Sequence, residues 1–101
     1  MGMYCERYRP SEKIASDGDI AYSFYIVKSG KVAMEKNGKV LDFMSMGDYF
    51  GEDSLSYDTV KRHVNYRAEN DVEVLSIGKW PFLRIFGNEF NTLVIKNIIR
   101  I

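Results

Sequence analysis

Cysteine, histidine and proline are scarce in this chain. Its 101 residues include one cysteine, one histidine and two prolines. A single cysteine, Cys5, excludes an internal disulfide and, without a secretory signal, favours a reducing compartment, which we take to be the cytoplasm. A single histidine, His63, argues against a site in which several histidines hold a metal, so we expect no metal cofactor.

An excess of charge and a long apolar run are also missing. Basic and acidic side chains number 14 each. No overall field therefore draws the chain to nucleic acid or anionic lipid, and any anion site must be local. The longest apolar stretches, such as Thr92 to Ile95, are too short to cross a bilayer. We therefore predict neither a nucleic-acid nor a membrane partner.

The composition that remains is that of a folded domain. It is 46% hydrophobic, 14% aromatic and 28% charged. This length supports a single core. We interpret residues 1–10 as a lead-in, with Met1-Gly2 added by cloning, and the whole as a fragment of a longer chain.

Short apolar runs alternate with turn residues after Pro10, at the spacing of an antiparallel sandwich or barrel. Asn37-Gly38 gives the strongest hairpin signal, because both residues accept a positive φ. We predict a β-roll, a jelly-roll-like barrel, over residues 11–78. Its strands are predicted at Lys13–Ser16, Tyr22–Lys28, Lys31–Lys36, Lys39–Met44, Val64–Ala68 and Val72–Ile77.

A different periodicity begins after Gly78. Pro81 suits a first helical turn, and the apolar residues that follow recur at helical spacing, interrupted at Gly87. We predict amphipathic C-terminal helices over residues 79–101. The fold class is therefore α+β, a β-roll followed by helices.

One stretch, YFGEDSLSYDTVKRHV at residues 49–64, combines a glycine, a carboxylate and a basic pair. Gly51 permits close backbone approach, and Glu52 to Leu55 can form a short helical turn whose first amides point outward unpaired. Such amides bind anions. An arginine is a suitable counter-charge, because guanidinium can donate two parallel hydrogen bonds to a phosphate.

Strand alternation separates Arg62 from its neighbours. Arg62 has the parity of the apolar residues in the following strand, whereas Lys61 and His63 have the opposite parity. If the apolar set faces the interior, Arg62 points inward. A buried arginine is costly without an anion, which could be Glu52 or Asp58 of the protein itself or a bound phosphate.

These residues resemble the phosphate-binding cassette of the cyclic nucleotide-binding domain family, in which Phe-Gly-Glu is followed by Leu and, after a short loop, by Arg. The resemblance covers nearly the whole chain. Matching positions are Phe50-Gly51-Glu52, Leu55, Arg62, Asp17-Gly18-Asp19, Phe24 to Val27, Ser29 to Val32 and Gly47 to Phe50. The closing segment looks most like a regulatory domain of a protozoan cGMP-dependent protein kinase.

The resemblance implies a ligand, cGMP or cAMP with cGMP favoured, and no cofactor. It implies a cassette at residues 49–64 with ligand-binding residues Gly51, Glu52, Asp53, Ser54, Arg62 and His63. The family's glutamate accepts from the ribose 2′-hydroxyl, and its arginine binds the exocyclic phosphate oxygens with help from cassette amides. These roles fall to Glu52, Arg62 and the amides around Asp53 and Ser54. His63 stands where cGMP-selective members often carry threonine.

The implied function is regulatory, with no catalytic residue in the domain. Ligand binding would move the C-terminal helices and control an attached serine/threonine protein kinase, whose neighbouring domains are the expected partners. One alternative is a degenerate domain that binds no nucleotide and acts as a scaffold in a tandem array, which the unusual residues Lys61, His63 and Val64 favour. Another is a cupin-like barrel enzyme, which the single histidine disfavours.

Overall fold

The computed structural model describes residues 3–51, 54 and 61–81. Within these ranges, eight strands form two antiparallel four-stranded sheets. The strands are β1 Met3–Tyr8, β2 Lys13–Ala15, β3 Ser23–Ser29, β4 Val32–Lys36, β5 Lys39–Met44, β6 Tyr49–Phe50, β7 Asn65–Ala68 and β8 Val72–Gly78. Their order is β1-β8-β3-β6 in one sheet and β2-β7-β4-β5 in the other. The predicted β-roll is confirmed.

Short apolar runs bounded by turn residues predict six of these strands to within one residue at either end: β2, β3, β4, β5, β7 and β8. The predicted hairpin between β4 and β5 is also confirmed. Asn37 and Gly38 have φ values of 53° and 77°, and Lys36 pairs with Lys39 across the turn. The two positive φ values are those of a primed turn, which matches the twist of the flanking strands.

Two strands escape the sequence prediction. β1 lies inside the predicted lead-in of residues 1–10, yet it pairs with β8 along its whole length, from Met3 opposite Ile77 to Tyr8 opposite Val72. It is an edge strand whose side chains are exposed or half-buried, so it lacks the apolar alternation that marks a strand. β6, at Tyr49–Phe50, is too short to show a period.

The core lies between the two sheets. Inward side chains of both sheets form one cluster, as expected of a sandwich in which alternate residues face inward. Its members are Ile14, Ala15, Tyr25, Val27, Val32, Met44, Phe50, Tyr66, Ala68, Val72 and Val74. Strand β3 is buried from Phe24 to Val27, on both of its faces. This explains why its sequence is a continuous apolar run and not an alternating one.

A helix begins directly after β8, with residues 79–81 in helical conformation. The predicted C-terminal helices otherwise lie outside the described residues. Among the residues that are described, no helix is long and apolar enough to span a membrane.

Gly30 lies between β3 and β4, close to the backbone of Asp71. Its φ is +86°, and a Cβ built there would lie 2.3 Å from the carbonyl oxygen of Asp71. Gly38 also has a positive φ, +77°, but its Cβ would meet nothing within 4 Å. Alanine substitutions at Gly30 and Gly38 can therefore separate the free-energy cost of a positive φ, which both share, from the cost of a steric clash, which applies only at Gly30.

We expect Gly30→Ala to lower the free energy of unfolding by about 3 kcal/mol, because a strained φ and a backbone clash add together. Gly38→Ala should cost about 1 kcal/mol, since only the φ term applies. Chemical denaturation of both variants checks this. Equal losses in the two variants would show that packing of β3–β4 against Asp71 contributes nothing.

Candidate functional site

The structure describes four of the six predicted ligand-binding residues: Gly51, Ser54, Arg62 and His63. Glu52 and Asp53 lie outside the described residues. Gly51, Ser54 and Arg62 are buried, and His63 is exposed.

Arg62 lies just before β7, where backbone contacts fix its position. Its amide donates to the carbonyl of Asp19 at 2.8 Å, and its carbonyl accepts from the amide of Gly18 at 2.9 Å. The neighbouring Lys61 forms an isolated antiparallel bridge with Ile20. The backbone of Arg62 is therefore held against residues 18–20, a segment that is distant in sequence.

The side chain of Arg62 points inward, as the strand parity predicts. The residue is 3% exposed, whereas Lys61 and His63 are both exposed. The His63 carbonyl accepts a hydrogen bond from Lys36 Nζ at 2.8 Å. The exposure of its imidazole agrees with the outward direction predicted for His63.

The Arg62 guanidinium is surrounded by the first part of β3 and by Gly51. Nη2 donates to the Ser23 carbonyl oxygen at 2.6 Å, and Cζ lies 5.6 Å from the centroid of the Tyr25 ring. A Cβ built on Gly51 would lie 2.8 Å from Nη1. A side chain at this position would therefore displace the guanidinium, and the φ of +78° at Gly51 also favours glycine.

The aromatic ring of Tyr25 lies against the Arg62 guanidinium. Burial raises the pKa of the Tyr25 hydroxyl, although the charge of Arg62 and a hydrogen bond to it act in the opposite direction. The raised pKa keeps the phenol neutral at physiological pH. Its contribution to Arg62 is therefore that of a ring face and a dipole and not that of an anion.

Ser54 is the third buried residue of the cassette. Its amide donates to the Gly51 carbonyl at 3.1 Å. The residue is 0% exposed, and its Oγ has no hydrogen-bond partner among the described residues. A hydroxyl buried without a partner is uncommon and costs stability.

The start of the C-terminal helix attaches to the same stretch of chain as Arg62. The Lys79 amide donates to the Tyr22 carbonyl at 2.7 Å, one residue before the carbonyl that accepts from Arg62. Lys79 is 4% exposed, and its Nζ lies 4.9 Å from the centroid of the Trp80 ring. The Tyr22–Ser23 segment thus touches both the buried arginine and the helix.

Sequence reasoning missed Ser23, Tyr25 and Lys79 as parts of the site. Ser23 acts through a carbonyl group, which every residue carries, and Tyr25 lies in an apolar run that predicts only core. Lys79 gave no signal, because a lysine at the start of a helix is usually solvated.

The described residues contain no group of three or more His, Cys, Asp or Glu side chains that could hold a metal. Cys5 lies on β1 opposite Leu75, whereas His63 lies next to β7 in the other sheet. The described geometry therefore does not assemble the Cys–His pair that nucleophilic catalysis would need.

A buried arginine beside an unobstructed glycine, inside a β-roll, is suited to bind a small anionic ligand. Residues 5–89 match the family described as the cyclic nucleotide-binding domain, which is most of the chain. The chain belongs to this family. It is accordingly a regulatory and not a catalytic domain, which confirms the sequence prediction.

Its curated relatives include cyclic nucleotide-dependent kinases and their subunits. A cAMP-dependent protein kinase regulatory subunit of Debaryomyces hansenii is 39% identical over 83 residues, which are 81% of this chain and 18% of that protein. A cGMP-dependent protein kinase of Plasmodium berghei is 35% identical over 79 residues, 78% of this chain and 9% of that one. The chain therefore spans less than a fifth of either relative's length.

Solved structures give the same fold. A structure of cAMP-bound PfPKA-R is 26% identical with a TM-score of 0.76, and the match covers 97% of this chain and 32% of that one. The C-linker/CNBHD of zELK channels has a TM-score of 0.78 at 24% identity, over 89% of this chain and 52% of that one, which shows the fold alone.

The buried hydroxyl of Ser54 yields a stability prediction. We expect Ser54→Ala to raise the free energy of unfolding by about 1 kcal/mol, because it removes a buried group that gains no hydrogen bond from the part of the chain that the structure describes. Urea denaturation measures the change. A loss of stability would show that the hydroxyl has a partner.

Proposed function

We propose that this domain binds a cyclic nucleotide, with cGMP favoured over cAMP, and that binding moves the C-terminal helices to control an attached serine/threonine protein kinase. The observation that carries the proposal is the burial of Arg62 against Gly51. Family membership and the cAMP-bound structural relative support the ligand class.

In this proposal Arg62 donates to the exocyclic oxygens of the cyclic phosphate. Glu52 accepts from the ribose 2′-hydroxyl, and the amides around Asp53 and Ser54 complete the phosphate contacts. Gly51 supports this role, because the absence of a Cβ leaves the guanidinium accessible at close range. His63 stays in the predicted ligand-binding set, although its exposure argues for a solvent-facing role.

Preference for cGMP is proposed from the resemblance to protozoan cGMP-dependent protein kinases, and the relatives also include cAMP-dependent subunits. The kinases of Plasmodium berghei and Toxoplasma gondii are each 35% identical over the matched residues. Control of a kinase chain, with its neighbouring domains as partners and the cytoplasm as compartment, is proposed from the same relatives.

Coupling of the site to the helix is supported by the two adjacent carbonyls of Tyr22 and Ser23. A phosphate that draws the Arg62 guanidinium away from the Ser23 carbonyl would change the hydrogen bonding of a segment that also holds the Lys79 amide. The ligand then favours one helix arrangement through its differential contacts with the two.

The binding proposal is tested with Arg62→Ala and a matched control, Lys61→Ala. Both variants remove one positive charge at neighbouring positions, but only Arg62 is buried. Calorimetric titration with cGMP and with cAMP should show a loss of affinity of about 10- to 100-fold for Arg62→Ala, because a charge-assisted contact contributes about 1.5–3 kcal/mol. Lys61→Ala should stay within about twofold of wild type.

Equal weakening in both variants would show a general charge effect and contradict a specific phosphate contact. A folded wild-type domain that takes neither nucleotide would favour the alternative of a degenerate scaffold domain. A stronger affinity for cAMP would correct the proposed purine preference alone.

The coupling proposal uses Trp80, the single tryptophan of the chain, as a reporter. We expect its fluorescence to change on nucleotide addition, with the same midpoint as the calorimetric titration.

Lys79→Pro removes the amide that donates to Tyr22, at a helix start that tolerates proline. The heat of nucleotide binding should persist in this variant, while the fluorescence response falls. Lys79→Ala, which keeps the amide, is the control, and an unchanged response in Lys79→Pro would refute this route.

A further inference from the structure

The Arg62 guanidinium lies over the ring of Tyr25, a residue that the sequence marks only as core. The distance from Cζ to the ring centroid is 5.6 Å, within the range of a cation–π contact. Tyr25 is 9% exposed, so the contact is largely removed from water. Such contacts are stronger when they are desolvated.

The Tyr25 ring is itself held in place by aromatic packing. It stacks on Phe50 with centroids 5.0 Å apart and an interplanar angle of 21°, and Phe50 packs on Tyr66 at 4.4 Å. Tyr25 and Phe50 are also partners in the pairing of β3 with β6. Since Phe50 directly precedes Gly51, the same strand pair positions both surfaces that border the guanidinium.

We infer that Tyr25 is a positioning residue for the cyclic phosphate, which acts by holding the Arg62 guanidinium between its ring and Gly51. The Ser23 carbonyl holds one end of the guanidinium in the ligand-free protein, whereas the ring supports its plane both before and after the ligand binds. This inference rests on the proposed function, because it assigns to Tyr25 the preorganisation of a contact that Arg62 makes.

The larger part of the expected contribution resides in the ring, and the hydroxyl adds only its hydrogen bond to Arg62. A partly desolvated cation–π contact corresponds to a loss of about tenfold in affinity when the ring is removed. Tyr25→Phe keeps the ring and should bind nucleotide within about threefold of wild type. Tyr25→Leu removes the ring and should lose about tenfold.

The experiment titrates wild type, Tyr25→Phe and Tyr25→Leu with cGMP and cAMP by calorimetry, each also in an Arg62→Ala background. Phe24→Leu is the matched control, since it removes a fully buried ring from the adjacent, opposite-facing position of β3. The Arg62 Nε–Hε resonance, assigned by its loss in Arg62→Lys, reports the ring contact directly in the ligand-free protein.

The inference is supported if Tyr25→Leu loses nucleotide affinity and Tyr25→Phe does not. The loss should disappear in the Arg62→Ala background. It should also be accompanied by a shift of the Arg62 Nε–Hε resonance in the ligand-free protein. A similar loss in Phe24→Leu, or a loss that persists without Arg62, would assign the effect to core packing and overturn the inference. If Tyr25→Leu does not fold, Tyr25→Met, which fills the space without a ring, takes its place under the same criteria.

The two failures are distinguishable. Wild-type protein that binds neither nucleotide refutes the proposed function, and the role of Tyr25 falls with it. Wild-type protein that binds, together with a Tyr25→Leu variant that binds equally well, refutes the positioning role alone.

Discussion

The placement of one guanidinium inside the β-roll is the constraint on which the rest of the site depends. An arginine that is 3% exposed must be provided with hydrogen-bond acceptors and with space. The Ser23 carbonyl supplies an acceptor at 2.6 Å, and the missing side chain of Gly51 supplies the space. Pairing of β3 with β8 places Ser23 opposite Gly78, and pairing of β3 with β6 places Tyr25 opposite Phe50, the residue before Gly51.

Strand β3 carries a second constraint. It pairs with β6 on one side and with β8 on the other; its first residue, Ser23, accepts from Arg62, and the preceding residue, Tyr22, accepts from Lys79 at the start of the C-terminal helix. In the proposed function, a change at the arginine would reach the helix through these two consecutive peptide groups, with no rearrangement of the core.

Much of this arrangement could be predicted from sequence, because its causes are local. Apolar runs bounded by turn residues predicted six strands, the period of two predicted the inward direction of Arg62, and Asn37-Gly38 predicted a hairpin. β1 could not be found this way, because an edge strand rich in exposed polar side chains is held by backbone pairing with β8. The Ser23 carbonyl and the Tyr25 ring were also hidden, since long-range contacts of backbone and of core residues leave no local signal.

The most direct test of the central claim is a crystal structure of the domain with cGMP bound. The account predicts that the exocyclic phosphate oxygens lie about 3 Å from the Arg62 guanidinium, beside Gly51, with the guanidinium still over the Tyr25 ring. A nucleotide bound elsewhere, with Arg62 retaining only its contacts in the ligand-free protein, would contradict it.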